Sequence, residues 1–241
     1  VYIDDDFNID GNPIPYNPIS MSGFGNQYDD YSLKPQSYID INLMLDGGFE
    51  VADYTGNGWQ FLPNHWDFYP TEASWGSPCM TMEKYGNQMY NSDELFVPYS
   101  GNFSVKLWGL GGGENDYGFG SENNIYQLFE GDYMIPGGTE ITIGAELMSA
   151  VDDWIGQGEG QNNASLFFKY FTYDENNELV FNSGKWSNQF DNSYEPAIWY
   201  NFSLTDTIPN GIDAIQIGAT YYQLNGDGGA VYVDNFSVRV D

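Results

Sequence analysis

The side chains able to do chemistry in this chain are mostly carboxylates and aromatic rings. One histidine (His65) and one cysteine (Cys79) stand beside 35 Asp and Glu and only 6 Lys and Arg. A lone imidazole gives little scope for proton relay near neutral pH, and a lone thiol rules out an internal disulfide framework. One run of acids has ligand spacing. Asp6-Phe-Asn-Ile-Asp-Gly-Asn12 matches the first half of a calcium loop, with Asp6, Asn8 and Asp10 as the expected oxygen donors. Oxygens at alternate positions converge on one ion, and the glycine allows the sharp turn between them. The second half departs from that pattern. Pro13 and Pro15 intrude, and Asn17 stands where a bidentate glutamate belongs, so an Asx-turn-rich linker is the alternative.

The same inventory argues against an enzyme. No E-x-D-x-x-E run, G-x-S-x-G or H-E-x-x-H occurs. Asp152, Asp153 and Glu159 fall in a glycine-rich stretch that reads as a solvated loop, and the single arginine, Arg239, offers no cluster for acidic sugars. A non-catalytic chain is expected. The net charge of -29 excludes phosphate backbones, anionic lipids and anionic polysaccharides as partners, leaving neutral molecules and divalent cations. A solvation surface for high salt explains the acidity equally well. No stretch reaches the apolar length of a membrane span, so membrane insertion is not expected. The lack of a charged n-region and apolar h-region implies a signal peptide already removed. With 20 Tyr and 29 Gly, the composition suits an extracellular or cell-surface β protein.

The elements that must position these groups are strands. Residues 1–38 are rich in Asp, Asn, Pro and Tyr and form an irregular, acidic N-terminal extension. Residues 39–241 form one domain of many short strands with Gly, Asn and Pro punctuation, which predicts an all-β antiparallel sandwich, or jelly roll. In Glu140–Met148 the residues Ile141, Ile143, Ala145 and Leu147 form an inward row. Leu179-Val-Phe181 is expected to answer Ala164–Tyr173 as a hairpin partner. The last strand, within Gly228–Val240, is expected to pair with Ile39–Leu45 and close the sandwich near Glu50 and Asp234. Simple alternation puts Asp234 on the face of Tyr232 and Phe236, where an unpaired carboxylate is costly.

Five pieces in order resemble the jelly-roll carbohydrate-binding modules that accompany xylanases and glucanases. They are Asn42–Glu50 with Trp59, Ser100–Lys106, Tyr126–Phe129, Ile135–Thr142 and Val231–Ser237. The resemblance spans about residues 40–241. It implies a structural Ca²⁺ where first and last strands meet, held by Glu50 and Asp234, with carbonyls near Gly48 and around Asn102 completing the shell. It also implies recognition of a neutral polysaccharide or cell-surface glycan.

Sugar binding asks for flat rings against apolar sugar faces and amides or charges for the hydroxyls. Candidates on outward rows are Trp108, Lys106 and Gln127, then Gln216 and Tyr222, with Trp154 and Trp59 on loops. The alternative is a self-assembling extracellular subunit of a filament, sheath or surface layer. There, residues 1–38 clasp a neighbouring copy to make a homopolymer. Four N-x-S/T sequons, at Asn102, Asn163, Asn201 and Asn235, are compatible with secretion.

Overall fold

The computed structural model describes residues 41–50, 61–63, 65–69, 98–108, 121–131, 134–157, 162–223 and 228–240, with short strands inside 20–34, 52–54 and 79–83. Asp6, Asn8, Asp10 and Trp59 lie outside the described residues, as does most of the 1–38 extension. Among the described residues every regular element is a strand. In chain order they are β1 (Ser20–Met21), β2 (Phe24–Tyr28), β3 (Asp30–Lys34), β4 (Ile41–Asn42), β5 (Ala52–Tyr54), β6 (Phe61–Pro63), β7 (Asp67–Tyr69) and β8 (Cys79–Glu83). The long strands follow: β9 (Phe103–Trp108), β10 (Ser121–Glu130), β11 (Glu140–Met148), β12 (Asn163–Tyr173), β13 (Leu179–Trp186), β14 (Tyr200–Thr207), β15 (Ala214–Gln223) and β16 (Ala230–Val240).

Two five-stranded sheets carry the fold. The first runs β13-β12-β15-β10-β7 and the second β14-β11-β16-β9-β8, with all pairings antiparallel. From β9 to β16 the chain changes sheet at nearly every connection, which is the jelly-roll path of the expected all-β sandwich. Along the long inner strands one row is apolar and points between the sheets. Ile141, Ile143, Ala145 and Leu147 of β11 face Leu166, Phe168 and Tyr170 of β12 and Ile215, Ile217 and Tyr221 of β15 in one buried cluster. At one edge Tyr170 donates its hydroxyl to Asp206 Oδ2 at 2.9 Å and Lys185 meets Asp206 Oδ1 at 3.0 Å, linking the two sheets.

The closing strand differs from its expected pairing. β16 lies in the middle of the second sheet, between β11 and β9. The segment after β4 touches only its far half: Leu43 N–H donates to the Val238 carbonyl at 2.9 Å and Phe236 N–H to the Gly47 carbonyl at 2.7 Å. Simple alternation also fails along β16. Its register against β11 shifts between Gly144 and Glu146, and Asn235 takes φ 51°. This extra residue is a bulge that flips the strand. Val231 and Val233 face the core before it, Phe236 and Val238 after it. Asp234 therefore shares the outer face with Tyr232 but not with Phe236, whose ring packs against Trp66 at 5.3 Å.

Candidate functional site

Two places on the sandwich gather groups with chemistry. The first is the corner beside the bulge. Here Asp46-Gly-Gly-Phe49 makes a tight turn, with Phe49 N–H donating to the Asp46 carbonyl at 3.0 Å. Asp46 and Phe49 adopt positive φ, a strained choice for a phenylalanine. Burial holds it there: Phe49 is fully buried against Trp66, ring centroids 4.9 Å apart. The anchored ring aims the next residue, Glu50, at the loop before β9. Glu50 Oε1 accepts from Asn102 N–H at 3.0 Å and Phe103 N–H at 3.1 Å. Gly101, just before them, has φ +59°, and a Cβ there would fall on the Glu50 carboxylate.

Asp234 completes the corner. It is fully buried, accepting Ser100 N–H at 3.0 Å on Oδ2 and Asn235 N–H at 2.6 Å on Oδ1. Burial pushes its pKa up to about 6. The backbone donors pull the other way, and the neighbouring Glu50 charge adds to the rise. Two carboxylates thus share one corner, and among the described residues no Lys, Arg or His forms an ion pair with either. Among the described residues no third His, Cys, Asp or Glu completes a metal-ligand group with them, although Asp46 Oδ1 accepts the Glu50 N–H at 2.8 Å and Glu146 is the cross-strand partner of Asp234. A cation here would take its remaining oxygens from backbone carbonyls, which suits a hard, irregularly coordinated ion. Asn102 contributes its N–H to this corner, and a Cβ placed on Gly48 would stand 3.7 Å from Glu50 Cγ.

The second place is the outer face of the first sheet. Antiparallel partners share a face, so the register lays one row across all five strands: Trp186, Phe167, Gly218, Tyr126 and Asp67. A side chain at Gly218 would overlap the Ile125 carbonyl and the Tyr126 backbone, so the row has a gap in its middle. At its β13 end Trp186 lies over Gly184, with Cη2 2.7 Å from where a Cβ would stand. That indole is 45% exposed. The adjacent row is Tyr69, Asn124, Thr220 and Ser165. Asn124 and Thr220 are 5% and 7% exposed, and Asn124 Oδ1 and Thr220 Oγ1 have no hydrogen-bond partner. Beside them Glu122 Oε1 accepts from Lys169 Nζ at 2.7 Å and Asn124 Nδ2 at 3.1 Å. Lys169 Nζ also stands 4.7 Å over the Phe167 ring. Burial alone would raise the Glu122 pKa, but Lys169 and Asn124 outweigh it and hold the carboxyl below its ordinary range. Burial raises Asp67, and burial with the Asp67 charge raises Tyr126.

The sugar-binding candidates named from sequence divide between places. Gln216 and Tyr222 do lie on this outer face, opposite Lys169 and Glu122 respectively. Trp108 and Lys106 lie on the outer face of the other sheet, where Lys106 is held by Asp153 at 2.6 Å and sits 5.5 Å over Tyr232. Gln127 is a correction. It points inward with Ile125 and Phe129, and its amide clamps Leu45, donating to the carbonyl at 2.6 Å and accepting the N–H at 3.1 Å. Trp154 packs against the core rather than standing free on a rim, and its Nε1 is buried without a partner. Missed by the sequence reading were Trp186, Lys169, Glu122, Asn124, Thr220 and Asp67. Their common signal is cross-strand register.

No protein-family model matches the sequence, and no curated protein matches it at a significant level. Among solved structures, the chain is similar to a family 16 carbohydrate-binding module at 15% identity, covering 82% of this chain and 99% of that one, with a TM-score of 0.42. A second is a family 61 module in complex with β-1,4-galactotriose, at 13% identity over 83% and 99%, TM-score 0.43. A third is the CBM22-1 xylan-binding domain from Paenibacillus barcinonensis Xyn10C, at 14% identity over 83% and 94%, TM-score 0.41.

Proposed function

We propose that this chain is a non-catalytic, extracellular or cell-surface module that binds a neutral polysaccharide on the outer face of its first sheet. The observation that carries this reading is the pair Asn124 Oδ1 and Thr220 Oγ1. Both are buried and unpartnered, and they sit side by side next to a row of rings. Buried polar atoms without partners are costly, and a ligand hydroxyl removes that cost. Trp186 supplies a flat, half-exposed ring for an apolar sugar face. Asp67 and Glu122 on the same face, with the net charge of -29, disfavour uronic acids. Affinity electrophoresis through gels containing soluble β-glucan, xylan or mannan tests this. Retardation on at least one neutral glycan is expected, and none on any of them sinks the reading.

The same proposal assigns Ca²⁺ to the Glu50–Asp234 corner, with carbonyls near Gly48 and in the Ser100–Asn102 loop as further donors. Its role is structural: it offsets two adjacent negative charges and ties the turn before β5 to β9 and β16. The Asp234 pKa is raised in the folded chain, so without calcium its contribution to stability is fullest below about pH 4 and is lost as pH rises through about 6. Calcium should therefore stabilise most above pH 6. At pH 7.5, saturating calcium should add about 2–3 kcal/mol, raising Tm by about 5–10 °C over EDTA, and the gain should shrink at pH 5. Asp234→Asn should remove the gain. A Tm indifferent to EDTA at pH 7.5 would contradict the assignment.

A further inference from the structure

The outer-face site also fixes the polarity of one hydrogen bond. Glu122 Oε1 receives both the Lys169 ammonium, at 2.7 Å, and an Asn124 Nδ2 hydrogen, at 3.1 Å. An ionised carboxylate only accepts, so the Asn124 amide must turn its NH₂ toward Glu122. Its Oδ1 is then the opposite end of the amide, and that oxygen is buried and unpartnered. Lys169 is itself constrained, with a side chain 14% exposed and its ammonium over Phe167. The pair is thus anchored from its Lys169 end, while the Glu122 side chain is 45% exposed.

Resting on the glycan reading above, we propose that Glu122, braced by Lys169, locks Asn124 as an acceptor. The site then requires a free hydroxyl donor on the sugar at that position and rejects a glycan acylated there. An O-acetyl group removes the sugar hydrogen that Asn124 Oδ1 would accept and adds bulk over a row where Phe167, Asn124 and Thr220 are already buried. Glu122 and Lys169 act here as positioning residues for specificity. Asn124 is the group that touches the sugar. The Thr220 hydroxyl can donate or accept and so tolerates either partner.

The test compares acetylated glucomannan and acetylated xylan with their alkali-deacetylated forms, by isothermal titration or affinity electrophoresis. The wild-type chain should bind a deacetylated glycan about tenfold or more tightly than its acetylated parent, the effect of one unmade buried hydrogen bond. Glu122→Gln should compress that ratio to about threefold or less. A glutamine amide can donate as well as accept, which frees Asn124 to turn its NH₂ to an ester carbonyl. A purely structural role for Glu122 would weaken both forms equally and leave the ratio intact. An intact ratio in Glu122→Gln, or equal wild-type affinity for both forms, overturns the polarity lock while leaving glycan binding standing. Binding to neither form on any glycan overturns both.

Discussion

Replacing Gly101 by alanine should cost about 2–3 kcal/mol of folding stability and abolish stabilisation by calcium. Gly101 holds φ +59°, a region that costs an L-residue about 1 kcal/mol. Its new methyl would also occupy the place of the Glu50 carboxylate. Glu50 must then swing away, leaving the Asn102 and Phe103 N–H groups without their acceptor. Both bonds are solvent-exposed, so each lost partner costs only about 0.5–1 kcal/mol. Gly211 is the control, because it has φ +77° and nothing within 4 Å of its missing Cβ. Gly211→Ala should cost only the backbone part, about 1 kcal/mol, and keep the calcium response. Urea denaturation of both variants, with calcium and with EDTA, measures the difference. Equal costs at the two glycines would mean that Glu50 does not hold the loop.

Trp186→Ala should weaken glycan binding about thirtyfold, or about 2 kcal/mol, the scale of a stacking ring removed from a binding face. Its effect on folding should be small. Nearly half of the indole is exposed and it covers Gly184 on an edge strand, so little core contact is lost. A matched substitution on the opposite sheet, Trp108→Ala, should leave the affinity within about twofold. Trp108 packs with Tyr232 and Met148 on a face that carries no part of the proposed site. Titration with whichever neutral glycan retards the wild type separates the two. A loss with Trp108→Ala and none with Trp186→Ala would move the site to the other sheet.

The fold was largely legible because apolar alternation is unambiguous where one row is β-branched and the other polar, as in β11. It fails where both rows are apolar. In β10, Ile125 and Phe129 compete with Tyr126 and Leu128, so the pattern does not say which row faces in. Pairing with β15 decides it and sends Gln127 inside. Bulges defeat alternation in a second way. Asn235 inverts β16 beside the very carboxylate of interest, and a register shift near Tyr170 and Phe171 breaks the pattern of β12 against β13. Trp186, beyond that shift, carries no local sign of its face. The Glu50–Asp234 meeting came from an ordered set of short resemblances, and the geometry does bring the two acids to one loop. The outer-face group is different in kind. Asn124, Thr220, Glu122 and Lys169 sit on three strands and meet only through lateral register, which no single stretch encodes.

The central claim is that the unpartnered oxygens of β10 and β15 belong to a glycan site. Affinity electrophoresis of the wild type beside Thr220→Val tests it most directly, since valine matches threonine in shape and removes only the Oγ1 that lacks a partner. Affinity for a retarding neutral glycan should fall about tenfold in Thr220→Val, while the melting temperature should hold or rise because an unsatisfied buried hydroxyl is gone. Undiminished retardation in Thr220→Val, or a loss of stability with no change in binding, would contradict it.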